Sequence, residues 1–481
     1  MICIIKREAF ELKHLNYGKN INIKSILSMI RYIDSESFTL LLISWHKRQK
    51  HTHPKQVHNL KRKIIRKREK SRGKRPHYTM IEKWALMNNS AIRDNDILDG
   101  LFPKRKKQWV SPLKRKALTS ELDIVNFSFI DNPNETLSKF AAIAESEVEY
   151  PINSFKLNFR DTTITDISPY LLLGSIWSDL FPFIAGGFMD NHLKKIMKPL
   201  GLDKYLNMNI HDDGSSDPNI IALPVLTKEH EDNEVTATKT EARDIVSTRI
   251  CDQFNTWLRV LCHGKPSVVQ LSQAGKGHFV GMIGEVLENA EKHAEPEKGI
   301  GFGKWSATCC MEYQPQQDTY RCCISFFNKG QSIADTISNA TDPKIKNDLK
   351  DYVKKHSNQT DGKVLSTIFA IQDLNTRETK VASQGGLGMM HMVHFIQQIG
   401  NKNTGKTPQI VIISGDTYVK FSDNYMATKY DNAGKRNQWF NADNSSDYPP
   451  DASNAFRLKN KISGTIITAR FFLDKGMVKD E

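Results

Sequence analysis

The chain has 481 residues, 39% of them apolar and 25% charged, and a formal charge of +14. That length exceeds what one hydrophobic core spans, so two or three domains are expected, and the ordinary apolar fraction excludes a wholly disordered chain. The charge is uneven: residues 1–120 hold 29 Lys and Arg against 9 Asp and Glu, a net of about +20, which leaves a mildly acidic remainder of about −6.

In chain order, residues 1–120 form a basic segment dominated by "HKRQKHTHPKQVHNLKRKIIRKREKSRGKR" (46–75). A run this charged buries little apolar surface and is either a solvated helix or arm, or a contact for nucleic-acid phosphates through residues 47–75. His46, His51, His53 and His58 lack the Cys or carboxylate spacing that would close a metal site. Residues 121–225 alternate strand-like and helical runs. "SFKLNFRDTTITDIS" predicts a strand and turn, and "PYLLLGSIWSDLFPFI" a helix with Pro169 in its first turn and Ser168 as its cap. Asp179 and Pro182 in this apolar stretch mark a core helix rather than a membrane span. Residues 226–240 read as an acidic linker, and residues 241–481 as the last and largest domain.

That domain opens with a helical pattern, "ARDIVSTRICDQFNTWLRVL", and continues with a second helix, "IGEVLENAEKH" (283–293). "SATCCMEY" and "YRCCISFF" predict strands. Seven cysteines, an odd number without CxxC spacing, argue for buried thiols in a cytoplasmic protein. The charged insert 334–382 is expected to be a mobile lid, and 421–461 a surface loop.

Four segments of this domain suit ATP. On the helix, Glu285 and Asn289 stand one turn apart on one face. An Asn oxygen ligates Mg²⁺, and a Glu beside it orients or deprotonates an attacking group. "SQGGLGMM" brings Gly385, Gly386 and Gly388 before a helix, where backbone N–H groups approach phosphates. "FFNKGQS" ends a strand with Asn328, which can bond an adenine edge, and "SGTIITARFFL" opens a strand with Thr465, which adds a hydroxyl.

In this order the segments resemble the GHKL (Bergerat-fold) ATPases, and the helix most resembles the histidine-kinase and anti-sigma-factor serine kinase branch. The resemblance covers residues 240–475. It implies a C-terminal Bergerat ATP-binding α/β sandwich, preceded by a STAS-like β/α domain that residues 121–225 resemble more distantly; the fold class is α+β. It makes Glu285 the general base, Asn289 the Mg²⁺ ligand and Lys292 a phosphate contact. Gly385, Gly386, Leu387 and Gly388 would form the lid motif that holds the triphosphate, and Asn328, Gly330 and Thr465 would hold adenine. Where the family writes Asp-x-Gly-x-Gly, this chain has Asn328-Lys329-Gly330-Gln331-Ser332.

The domain ends roughly fifteen residues after Thr465, which disfavours a following transducer domain of the gyrase or chaperone kind. The expected function is a regulatory protein that binds Mg-ATP and either hydrolyses it or phosphorylates a Ser or Thr on a partner. The alternative is an ATP-dependent switch held on nucleic acid by the basic arm. A protein encoded nearby is the expected partner, with nucleic acid and a homodimer as further candidates and no membrane partner.

Overall fold

The computed structural model describes residues 95–103, 118–148, 152–180, 184–206, 208, 210, 217–228, 239–261, 271–293, 304–317, 319–372, 388–399, 406–426, 429–430 and 436–474. These make a mixed α+β protein built around an antiparallel sheet. The basic segment of 46–75 lies outside the described residues. Among the described residues no helix is long and apolar enough to cross a membrane.

The chain enters through a short helix, α1 (Asp96–Leu101), whose Ile97 and Leu98 N–H groups donate to the Asn95 carboxamide oxygen at 3.1 and 3.0 Å. A β-α-β unit follows, with β1 (Leu118–Ile124) parallel to β2 (Ile152–Phe159) and α2 (Pro133–Val148) between them. Bridges from Phe155 and Phe159 to Ile184 and Met189 extend this small sheet. Helix α3 (Ser168–Leu180) buries Tyr170 to Leu173, Ile176, Trp177 and Leu180, so the apolar run is a core helix, as expected. Its start differs in detail from expectation. Ser168 is the first helical residue, and the buried Asp166 carboxylate accepts both its N–H and its hydroxyl. Helices α4 (Asn191–Met197) and α5 (Leu202–Tyr205) complete the unit.

The main sheet contains β3 (Ile220–Lys228), β4 (Lys304–Gln314), β5 (Thr319–Lys329), β6 (Gln409–Ser414), β7 (Thr417–Phe421), β10 (Ala455–Arg457) and β11 (Thr465–Asp474), while β8 (Lys429–Tyr430) and β9 (Arg436–Asn437) pair with each other apart from it. Their order is β10-β7-β6-β11-β5-β4-β3, every pair antiparallel. Strand β3 spans the boundary expected at residue 225 and forms one edge of this sheet. The last strand in sequence, β11, lies inside the sheet between β5 and β6.

Two layers cover the sheet, which explains why β4 and β5 read as nearly continuous apolar runs. Because strand side chains alternate, Cys322, Ile324 and Phe326 face one core while Cys323 and Phe327 face the other. The first core is roofed by α6 (Lys239–Leu261), α7 (Gln273–His293) and α11 (Gly388–Ile399). Helix α7 packs against both of the others, and α6 also touches β3 and β4, so α11 covers the side away from that edge. The second core holds the β-α-β unit, with α3 on β5 and β11.

This second interface is pinned by polar groups. Asp166, fully buried, accepts from Phe129 N–H at 2.7 Å and from the Thr468 hydroxyl of β11 at 3.0 Å. Arg470 grips Asp131 through two bonds of 2.6 and 2.8 Å, and Arg321 donates to the Thr163 hydroxyl and the Ile164 carbonyl.

The insert after β5 departs from expectation. It forms α8 (Ile333–Ser338), α9 (Pro343–His356) and α10 (Gly362–Ala370), which share a core of Ile337, Leu349, Tyr352, Leu365 and Phe369. Up to residue 372 the expected lid is therefore a packed helical unit; residues 373–387 lie outside the described residues. The loop following β7 packs on this unit. Its Trp439 ring lies 4.9 Å from Tyr352, and the Gln372 side-chain amide donates to the Gln438 carbonyl and accepts the Gln438 N–H.

Candidate functional site

One end of the large sheet carries a row of polar and aromatic side chains on its helix-covered face. The register places Trp305 of β4 opposite Asn328 of β5, Asn328 opposite Thr465 of β11, Thr465 opposite Ser414 of β6, and Ser414 opposite Thr417 of β7. Alternation along each strand puts all five on the α7 side, in line with core residues Ala307, Phe326, Ile467, Ile412 and Val419.

The row is bonded internally. The Ser414 and Thr465 hydroxyls lie 2.7 Å apart, and Ser414 also accepts the Ile333 N–H at 2.7 Å, which ties the row to the first residue of α8. Thr417 donates to the Ser414 carbonyl and lies 3.1 Å from the Thr367 hydroxyl of α10. Trp305 donates its indole N–H to Glu291 of α7 at 3.0 Å, and the same carboxylate lies 2.5 Å from Lys228 of β3. Trp305, Thr465, Ser414 and Thr417 are buried, whereas Asn328 is half-buried and is where the row opens to solvent.

Helix α7 borders this row. Its buried face carries Phe279, Met282, Ile283, Val286, Leu287 and Ala290. At 100° per residue, Glu291 lies on one flank of that face and Glu285 with Asn289 on the other. Glu291 reaches toward the β3–β4 edge, so the Glu285–Asn289 flank turns toward α11. Glu285 is half-buried and Asn289 exposed. Lys292 pairs along the helix with Glu288.

Of the residues expected from sequence, Asn328, Gly330 and Thr465 come together at the sheet end, while Glu285, Asn289 and Lys292 share the adjoining helix. Gly388 is the first residue of α11; Gly385, Gly386 and Leu387 lie outside the described residues. Gly464 has φ +129, and a Cβ there would stand 2.0 Å from the Asn328 carbonyl oxygen, so the Gly-Thr pair serves close backbone approach as well as hydroxyl placement. Ser414, Thr417, Trp305 and Glu291 were not singled out from sequence. The only local signal was a hydroxyl at each end of the "SGDT" turn, and strand register was needed to give it meaning.

Magnesium takes oxygen ligands and keeps several waters, so the exposed Asn289 carboxamide oxygen is a fitting donor beside a nucleotide's own phosphates. Among the described residues there is no group of three or more His, Cys, Asp or Glu disposed to hold a metal. His394 of α11 has its pKa lowered by burial and by nearby Arg436 and His278, which favours the neutral ring. The five described cysteines are free and buried, in keeping with the sequence expectation. Burial pushes Cys251 up to about 11, and Cys309 and Cys322 upward as well, so they are poor nucleophiles.

A cavity of about 360 Å³ lies beyond the Thr417 end of the row, between α8, α10 and β10. Its charges pair with one another or with Asp416 just behind it: Arg457 with Asp416 at 2.8 Å and Asp361 at 3.2 Å, and Lys363 with Asp335 and Asp416 near 3.9 Å. Compared with protein-family models, curated proteins and solved structures, the chain matches none of them.

Proposed function

We infer that the protein is an ATP-binding regulatory protein whose large domain is a Bergerat-type nucleotide site and whose β-α-β unit is the STAS-like module suggested by sequence. The observation that carries this reading is the row Trp305, Asn328, Thr465, Ser414 at the sheet end, beside a helix bearing Glu285 and Asn289 one turn apart. Asn328 and the Thr465–Ser414 hydroxyl pair meet the base. Asn289 supplies an oxygen to Mg²⁺, and Glu285 is the general base toward the terminal phosphate. The glycines of 385–388 meet the phosphates where α11 begins. The terminal phosphoryl group passes either to water or to a Ser or Thr of a protein partner.

Calorimetry with Mg-ATP tests the site. The parent protein binds, Asn289→Ala abolishes binding, and Glu285→Ala keeps binding while losing phosphate release. Unchanged affinity in Asn289→Ala would refute the metal-side assignment, and unchanged turnover in Glu285→Ala the general base. Adding labelled ATP to candidate partners separates phosphoryl transfer from hydrolysis.

A further inference from the structure

The one member of the polar row that is half-buried and makes no side-chain hydrogen bond among the described residues is a carboxamide. Trp305 gives its N–H to Glu291, Thr465 and Ser414 bond each other, and Thr417 bonds the Ser414 carbonyl and meets Thr367. The Asn328 side chain has no hydrogen-bond partner among the described residues, and it sits where the row is open. Its backbone is fixed by ladder pairs to Trp305 and Thr465 and by the close approach of Gly464. With the backbone held, the amide can turn about its terminal torsion.

A carboxamide presents one acceptor and one donor side by side, and its terminal torsion is roughly two-fold. Adenine presents an amino donor at C6 beside the N1 acceptor. A 6-oxopurine presents the reverse, a carbonyl acceptor at C6 beside the N1–H donor. Half a turn of the Asn328 amide complements either edge with two hydrogen bonds. No bond within the described residues favours one orientation. A carboxylate in its place could accept from a base but never donate to one.

Resting on the nucleotide reading above, we propose that Asn328 makes this a purine-tolerant site, one that takes 6-oxopurine triphosphates as well as ATP. Inosine triphosphate is the discriminating probe, because it differs from ATP only at the edge Asn328 would read. On the full chain with Mg²⁺, the dissociation constants for ATP and inosine triphosphate fall within tenfold of each other. Asn328→Leu, checked for folding by circular dichroism, weakens both by a similar factor of roughly ten, as expected for loss of such hydrogen bonds.

If ATP binds and inosine triphosphate is more than tenfold weaker, the proposal is overturned while the ATP site stands. The same holds if Asn328→Leu alters neither affinity. If neither triphosphate binds the parent protein, the nucleotide reading falls and this inference with it. The comparison on the parent protein needs no variant, so a misfolded Asn328→Leu would not leave the question open.

Discussion

Gly464 shows how a single missing Cβ sets the geometry of the sheet end. At φ +129, with the Asn328 carbonyl where a methyl group would go, alanine meets both backbone strain and a clash that only strand separation relieves. Gly464→Ala is expected to lose on the order of 3 kcal/mol, read by chemical denaturation, and to weaken the proposed nucleotide binding through Asn328. A parental denaturation midpoint would count against that close approach. Asp131 makes a residue-scale point about charge. Burial works to raise its pKa, but the bidentate Arg470, Ser128 and Lys420 outweigh burial and hold it below the ordinary value. A carboxylate depressed in the fold contributes stability that is complete above its unfolded pKa, about 3.9, and lost as pH falls through the lowered value. Asp131→Asn should therefore be less stable at pH 7 and show a flatter loss of stability below about pH 4, measured as denaturant midpoints across pH 2–7. An unchanged acid limb would remove Asp131 from the linkage.

At the scale of elements, the segment after β5 is the most informative departure from expectation. Its charge suggested a lid, yet α9 is amphipathic: Leu349, Tyr352 and His356 are buried while its lysines face solvent. His356 lies 2.9 Å from the Ser446 carbonyl, Lys355 pairs with Asp447 at 2.6 Å, and Tyr352 packs on Trp439. The loop of 436–454 is thus a clasp for these helices. Trp439→Ala should cost roughly 3 kcal/mol and speed proteolysis within residues 343–372. Unchanged cleavage there would show that the helices hold without it. Helices α6 and α7 and strands β4, β5 and β11 were legible because each has a local period or apolar run long enough to declare itself. The helical unit was expected as a mobile lid because its charge is plain in the sequence, whereas its buried face is known only once the helices it packs against are known.

At the scale of the molecule, the β-α-β unit forms the third layer of a sandwich. Ile413, Tyr418 and Ile466 of the large sheet share a core with Phe129, Leu171 and Leu172 of the unit, and Asp166 joins the two through Thr468. A fragment of residues 241–481 would expose that face and lose strand β3. It is expected to aggregate or lack cooperative unfolding, whereas residues 95–481 fold, as judged by solubility and thermal melts. A soluble, cooperative 241–481 fragment would show the large domain to be self-sufficient.

Local sequence was enough to mark the elements: the Glu285–Asn289 helix, the Asn328 strand end, and the Gly464–Thr465 pair. These follow from side-chain type and spacing along a few residues. It took the assembled sheet to place β11 between β5 and β6, which sets Thr465 between Asn328 and Ser414 and makes a row from residues far apart in sequence. The tertiary structure also decided that the smaller unit closes the far face of the sheet. Strand order and layer partners are choices among distant apolar surfaces of similar composition, and no local pattern encodes which surface meets which.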